Sequence, residues 1–236
     1  MSLIKASPKG HGGIMHKKIC IFDFDGTLVN TIEDVAICFN KSLEKFGFNS
    51  HPIKTYNNFV GGNLETVVGR LLKYNQSKHY TEEDINNIKD YYLNLYLSSN
   101  KENTKPYDGI VSLLEKLQDN SIKIAINTNK KQILTEELTN KFFDSINFVS
   151  IVGYNPEFPS KPNPDGVYKI LEKAKISKDD AIYIGDGLSD VKTAENAGID
   201  CIFCNWGQGK EEDKNSKAVK FVVDKVEDIG IIVLGK

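Results

Sequence analysis

The chain has 236 residues, and its 30 Lys+Arg against 32 Asp+Glu leave a formal charge of −2. Hydrophobic residues make up 40% and charged residues 26%, an ordinary globular mix with enough apolar mass for one core carrying an insertion. Near-neutral charge argues against nucleic acid or an anionic membrane as the main partner, because both demand a basic face, and no apolar run approaches the ~18 residues of a membrane span.

Residues 1–14 contain turn formers (Ser7, Pro8, Gly10, Gly12, Gly13), no apolar period and no signal-peptide core, so they read as a leader or flexible arm ahead of Met15. Residues 18–23, Lys-Ile-Cys-Ile-Phe-Asp, form a strand-length apolar run with a polar tip. Similar runs follow at residues 122–126, 148–152, 181–184, 201–203 and 221–223, and residues 229–234 make a further strand-sized apolar piece. Helical patterns lie between most of them, at residues 109–118, 166–174 and 189–197. Strands alternating with helices imply βαβ units and an α/β fold, a parallel sheet covered on both faces.

Residues 31–103 break the alternation, since only helical periodicity runs through them. Thr31 with Asp34, and Thr81 with Asp84, read as capping-box starts, and residues 63–74 repeat the helical pattern. About 70 residues are too many for a βα connection. They read as a small all-helical domain inserted into a core made of residues 15–30 and 104–236. Cys20 and Cys38 read as buried thiols, and Cys201 with Cys204 as a C-x-x-C inside a short apolar strand, where packing is the expected role. Reduced cysteines and the missing signal peptide favour the cytoplasm.

Chemistry concentrates at strand tips. Asp23-Phe24-Asp25-Gly26-Thr27 closes the first core strand, and ligands of open parallel sheets sit beyond such carboxyl ends. Two aspartates this close repel unless a cation sits between them, and a hard divalent ion with oxygen ligands, Mg²⁺ above all, meets that need. Later tips carry Asn127-Thr128-Asn129-Lys130, then Ser160-Lys161-Pro162-Asn163-Pro164, then Gly185-Asp186-Gly187-Leu188-Ser189-Asp190. Singly these are a turn threonine, a solvated lysine and a helix cap. Jointly they put carboxylates, a hydroxyl and an ammonium on one edge of one sheet.

These four motifs, in this order, resemble those of the haloacid dehalogenase superfamily, and within it the phosphoglycolate phosphatase group with a helical cap. The resemblance extends from about residue 17 to the last strand. It implies a Rossmann-like three-layer core with the first strand central, and Mg²⁺-dependent hydrolysis of a small-molecule phosphate ester through an aspartyl-phosphate. It implies Asp23 as nucleophile, Asp25 as general acid, and Thr128, Asn129 and Lys161 around the phosphoryl group. Metal ligation would fall to Asp23, the backbone carbonyl of Asp25, Asp186 and Asp190. Asp25 sets the chain apart from the dehalogenases, which lack an acid there, and Thr27 favours phosphatases over mutases. Gly187 stands where this subfamily often has Ser or Thr, removing a helix-capping hydroxyl.

In the inserted helices, Gly61-Gly62-Asn63 opens a helix whose amides face an anion well, and Arg70 is the single arginine in the chain, suited to clamping a substrate carboxylate or second phosphate. A helix-surface ion pair is the plainer role for Arg70. Tyr56, Phe59, Tyr91 and Tyr92 read as apolar packing. The competing functions are a phosphomutase, a pyrophosphatase or nucleotidase of the same family, and a catalytically inactive binding or regulatory module. The expected assembly is a monomer or weak homodimer.

Overall fold

The computed structural model describes residues 5–6, 16–74 and 78–235. In chain order it forms β1 (Lys5–Ala6), β2 (Ile19–Phe22), β3 (Val29–Asn30), α1 (Ile32–Lys45), a 3-10 helix (Ile53–Asn58), α2 (Leu64–Lys73), α3 (Glu82–Ser98), β4 (Lys105–Pro106) and α4 (Ile110–Asp119). It continues with β5 (Lys123–Lys131), α5 (Gln132–Phe142), β6 (Phe148–Tyr154), α6 (Asp165–Ala174), β7 (Ala181–Gly185), α7 (Leu188–Ala197), β8 (Asp200–Cys204), β9 (Val219–Val223) and α8 (Val226–Leu234). The chain divides into two units, residues 1–29 with 106–236, and residues 30–105.

The first unit is built on a sheet ordered β1-β9-β8-β7-β2-β5-β6. Pairing from β9 through β6 is parallel, and β2 lies between β7 and β5, with Phe22 opposite both Ile184 and Ile126. All four residues of β2 are buried, the mark of a strand covered on both faces. Successive side chains serve opposite layers. Cys20 and Phe22 join Leu114, Leu117, Ile229 and Val233 on one side, and Ile19 and Ile21 join Val167, Ile170, Val191 and Ala194 on the other. Each fully buried large side chain contributes roughly 1.5–3 kcal/mol of apolar transfer. Cys201 and Cys204 are free, buried and on opposite faces of β8. Burial holds both thiols well above their ordinary range, so the C-x-x-C is packing.

Three expectations change. Residues 229–234 belong to α8, not to a strand: a wholly apolar run has no periodicity to show, and here its helix packs on the sheet. Within the arm of residues 1–14, Lys5–Ala6 pairs antiparallel with β9, an edge contact made by backbone groups that leave no side-chain pattern. The rest of that arm lies outside the described residues. Strand β5 runs on to Lys131, so Thr128, Asn129 and Lys130 lie on its end rather than after it. Helix α5 was not read from the sequence at all.

The second unit packs α1, α2 and α3 around aromatic rings. Phe39 stacks on Tyr92 with centroids 3.7 Å apart, Tyr56 and Phe59 are buried beside them, and Tyr91 meets Phe46 edge-on. Thr81 and Asp84 form the expected capping box at α3. Thr31 and Asp34 do not, for the Thr31 side chain makes no cap bond. Asp34 is buried and accepts hydrogen bonds from Asn103 N (3.1 Å), Asn103 Nδ2 (3.0 Å) and Thr104 Oγ1 (2.6 Å). It ties the first turn of this unit to its last residues, a contact 70 positions apart that a local pattern cannot show. Replacing Asp34 with Ala removes a carboxylate serving three donors and should cost about 2–3 kcal/mol. Chemical denaturation should show a larger loss for Asp34→Ala than for Thr31→Ala; the reverse order would restore the local cap.

Candidate active site

Asp23 follows β2 directly, and its backbone N–H donates to Ile184 O at 2.9 Å, which fixes the direction of the side chain as it leaves the strand. Asp186 comes from the β7–α7 turn and Asp190 from the first turn of α7. Asp23, Asp186 and Asp190 are all buried, and each offers an oxygen within 4.8 Å of the others. Lys161, also buried, enters from the loop before α6 and places Nζ 2.7 Å from Asp23 Oδ1 and 2.6 Å from Asp190 Oδ1. Lys161 is positioned by Asn129, whose Oδ1 accepts the Lys161 backbone N–H at 2.8 Å while Nδ2 donates to Lys161 O at 3.2 Å. Asn129, expected beside a phosphoryl group, holds the lysine's backbone at this edge.

Asp190 also makes the half of the helix cap that needs no hydroxyl on Gly187. Its Oδ2 accepts the Gly187 N–H at 3.0 Å at the start of α7. Asp186 takes one donor on each oxygen, Thr27 Oγ1 on Oδ1 (2.9 Å) and Gln208 N on Oδ2 (2.7 Å). The Asp25 carboxylate lies outside the three-aspartate group, and the expectation placed only its backbone carbonyl at a metal. Lys130 Nζ lies 3.1 and 3.2 Å from its two carboxylate oxygens. Thr128 is buried and accepts the Lys130 N–H at 3.3 Å; it lies two residues past Ile126, the β5 partner of Phe22, and so on the edge where Asp23 stands. Lys130 and Gln208 are the additions that motif reading did not make. Gln208 acts through its backbone, which carries no residue signature, although residues 205–209 follow a strand on the same sheet edge.

In the second unit, Asn63 caps α2 by accepting the Thr66 N–H at 2.9 Å. Gly61 and Gly62 have φ of 102° and 88°, a left-handed pair that side-chain-bearing residues resist. Among the described residues Arg70 makes no ion pair; Nη1 donates to Phe59 O (3.0 Å) and Gly61 O (2.7 Å) and so holds this loop.

Three ionised aspartates and one ammonium sum to −2 in a buried volume, with each like-charged pair costing on the order of 3–4 kcal/mol at an effective dielectric near 20. Burial first, and Asp190 second, push the Asp23 carboxyl up to about 7, and the same causes hold Asp186 well above the carboxylate range. Burial works against the charge on Lys161, but Asp190 and Asp23 overcome it and keep the ammonium. Asp23 Oδ1 receives no directed hydrogen bond although the ammonium is near. A buried all-oxygen donor set with a surplus of two negative charges fits a hard divalent cation.

A model of the haloacid dehalogenase-like hydrolase family matches residues 20–204, which include every strand-tip motif above, and the chain belongs to that family. It is 28% identical over 216 residues to the phosphoglycolate phosphatase of Aquifex aeolicus, covering 90% of this chain and 94% of that one. It is 29% identical over 202 residues to that of Psychrobacter arcticus, covering 84% and 88%. A solved structure from Lactobacillus delbrueckii shares the fold with TM-score 0.85 at 24% identity, over 94% of this chain and 100% of the other. CbbY from Rhodobacter sphaeroides, solved with phosphate, gives 0.70 at 21%, over 91% and 96%. No helix among the described residues is long and apolar enough to cross a membrane.

The raised Asp23 value has a defined stability consequence. Its folded value lies above the ordinary 3.8, so the unfolded chain gives up this proton first as pH rises. The contribution is complete below about 3.8 and is lost as pH climbs through about 7. Metal-free protein should therefore melt at lower temperature at about pH 8 than at about pH 5. Asp23→Asn should flatten that slope and raise the melting temperature at the higher pH, and added Mg²⁺ should stabilise the wild type more at the higher pH, where it need not displace protons. Scanning calorimetry across the range reads all three.

Proposed function

We propose that this protein is a Mg²⁺-dependent phosphomonoesterase of the cytoplasm, a monomer or weak homodimer, acting on a small anionic metabolite of the phosphoglycolate kind. The observation that carries the reading is the meeting of Asp23, Asp186 and Asp190 around the Lys161 ammonium. The two relatives named phosphoglycolate phosphatase support the substrate class. Asp23, Asp186 and the carbonyl of Asp25 would hold the ion, with Asp190 behind them. The ion would neutralise the surplus carboxylate charge and withdraw electron density from a phosphoryl oxygen.

The chain's own residues then divide the work. An Asp23 oxygen attacks phosphorus in line, forming the aspartyl–phosphate bond as the ester P–O bond breaks. Asp25 acts as the general acid toward the departing oxygen. Water next attacks phosphorus, Asp25 takes the water's proton, and the Asp23 carboxylate leaves with release of inorganic phosphate. Lys161, already balanced between Asp23 and Asp190, offsets charge on the transferring oxygens, and the Thr128 hydroxyl donates to one. Such hydrolysis is among the slowest uncatalysed reactions, so alignment and charge stabilisation must both contribute heavily.

Hydrolysis of p-nitrophenyl phosphate should require Mg²⁺ and fall by about a thousandfold or more in Asp23→Asn. Undiminished turnover in that variant would sink the reading. Asp25→Asn should separate the steps by leaving group. Loss on an alkyl phosphate should be about 10²–10⁴-fold, and clearly smaller on p-nitrophenyl phosphate, whose leaving oxygen needs little proton help. Equal loss on both would remove Asp25 from the acid role.

A further inference from the structure

The segment after β8 lies beyond the residues matched by the family model, yet it closes on the acidic cluster. Trp206, the single tryptophan of the chain, donates Nε1–H to Thr27 O at 3.2 Å. Thr27 is fully buried and in turn donates its hydroxyl to Asp186 Oδ1. Two residues past Trp206, the Gln208 amide donates to Asp186 Oδ2. The two donors on one carboxylate are thus linked to each other through the Trp206 side chain and two peptide units. Gly207 and Gly209 flank the contact, and a Cβ on either would overlap Asp186 itself, so the backbone lies against this aspartate as closely as a chain can. The segment is anchored before the contact by Asn205, whose N–H bonds Val223 O (2.9 Å) and whose Nδ2 bonds Asp224 Oδ1 (2.6 Å). After it, Asp213 accepts the Lys210 N–H at 2.8 Å. The Trp206 ring also meets Tyr107 with centroids 6.3 Å apart.

We propose that segment 206–209 is a positioning bracket for the metal ligand Asp186, and that Trp206, acting through Thr27, sets the affinity of the site for its divalent cation. The inference rests on the divalent-cation reading of the cluster. One donor on each oxygen fixes the carboxylate plane, with an oxygen within 4.8 Å of those of Asp23 and Asp190. Outer partners that orient a metal ligand typically change metal affinity by about 10–100-fold when removed. Because the tryptophan is unique and bonded to this chain of contacts, its fluorescence reports on the site without a label.

Two measurements on the intact protein decide the matter. Titration of wild type with Mg²⁺ under selective tryptophan excitation should give a saturable change that follows the calorimetric binding isotherm and vanishes in Asp186→Asn. Calorimetry on Trp206→Phe, which keeps a ring against Tyr107 but loses the N–H, should show Mg²⁺ bound about tenfold more weakly. Thr27→Val, nearly the same shape, should weaken it by at least as much and serves if the first variant folds poorly. Unchanged Mg²⁺ affinity in both variants, with only a lowered melting temperature, would overturn the bracket and leave the segment a fold support. Wild type that binds no Mg²⁺ would overturn the cation reading itself.

Discussion

Three carboxylates buried within 4.8 Å of one another are unstable unless something compensates their charge, and the site is organised around that need. Lys161 answers part of it from between Asp23 and Asp190. The remaining excess shows in the raised Asp23 and Asp186 values. Repulsion of this kind is tolerated where function uses it: a site held proton-hungry when empty is one that a divalent cation fills with a gain in stability. The same charges make Asp23 costly to ionise until they are compensated.

Holding such a cluster requires a rigid frame, and the parallel sheet supplies it. β2 is covered on both faces and paired on both edges, so Asp23 leaves a strand that has nowhere to move. Asp186 and Asp190 follow the neighbouring strand β7 and Lys161 comes from the loop before α6, and each is held by a partner that is not itself reactive. Asn129 grips the backbone of Lys161, Gly187 donates to Asp190, and Thr27 and Gln208 fix Asp186. Lys130 holds the Asp25 carboxylate, which lies outside the three-aspartate group although Asp25 is only two residues from Asp23. Side chains held in this way are what in-line chemistry demands, because small misplacements cost large factors in rate.

The second unit follows the same economy at lower density of charge. Its core is aromatic, with Phe39, Tyr56 and Tyr92 buried together, and its one arginine is given to the carbonyls of a two-glycine loop. That use explains why an arginine stands there among lysines: a guanidinium presents several donors in a fixed plane and reaches two carbonyls at once.

What the sequence determined by itself were features written in neighbouring residues. Apolar runs separated by helical patterns gave the α/β class, Thr81 with Asp84 gave a true cap, and four strand-tip motifs gave Asp23, Asp25, Thr128, Lys161, Asp186 and Asp190. Tertiary structure alone decided how these groups are partnered. It turned residues 229–234 into a helix, because an unbroken apolar run fits either form until something packs on it. It took Asp34 from a local cap to the far end of its unit, set Asn129 on the backbone of Lys161, and brought the amide of Gln208 onto Asp186. Each of those contacts is made by backbone groups or by residues distant in the chain, and neither leaves a mark on local periodicity or spacing.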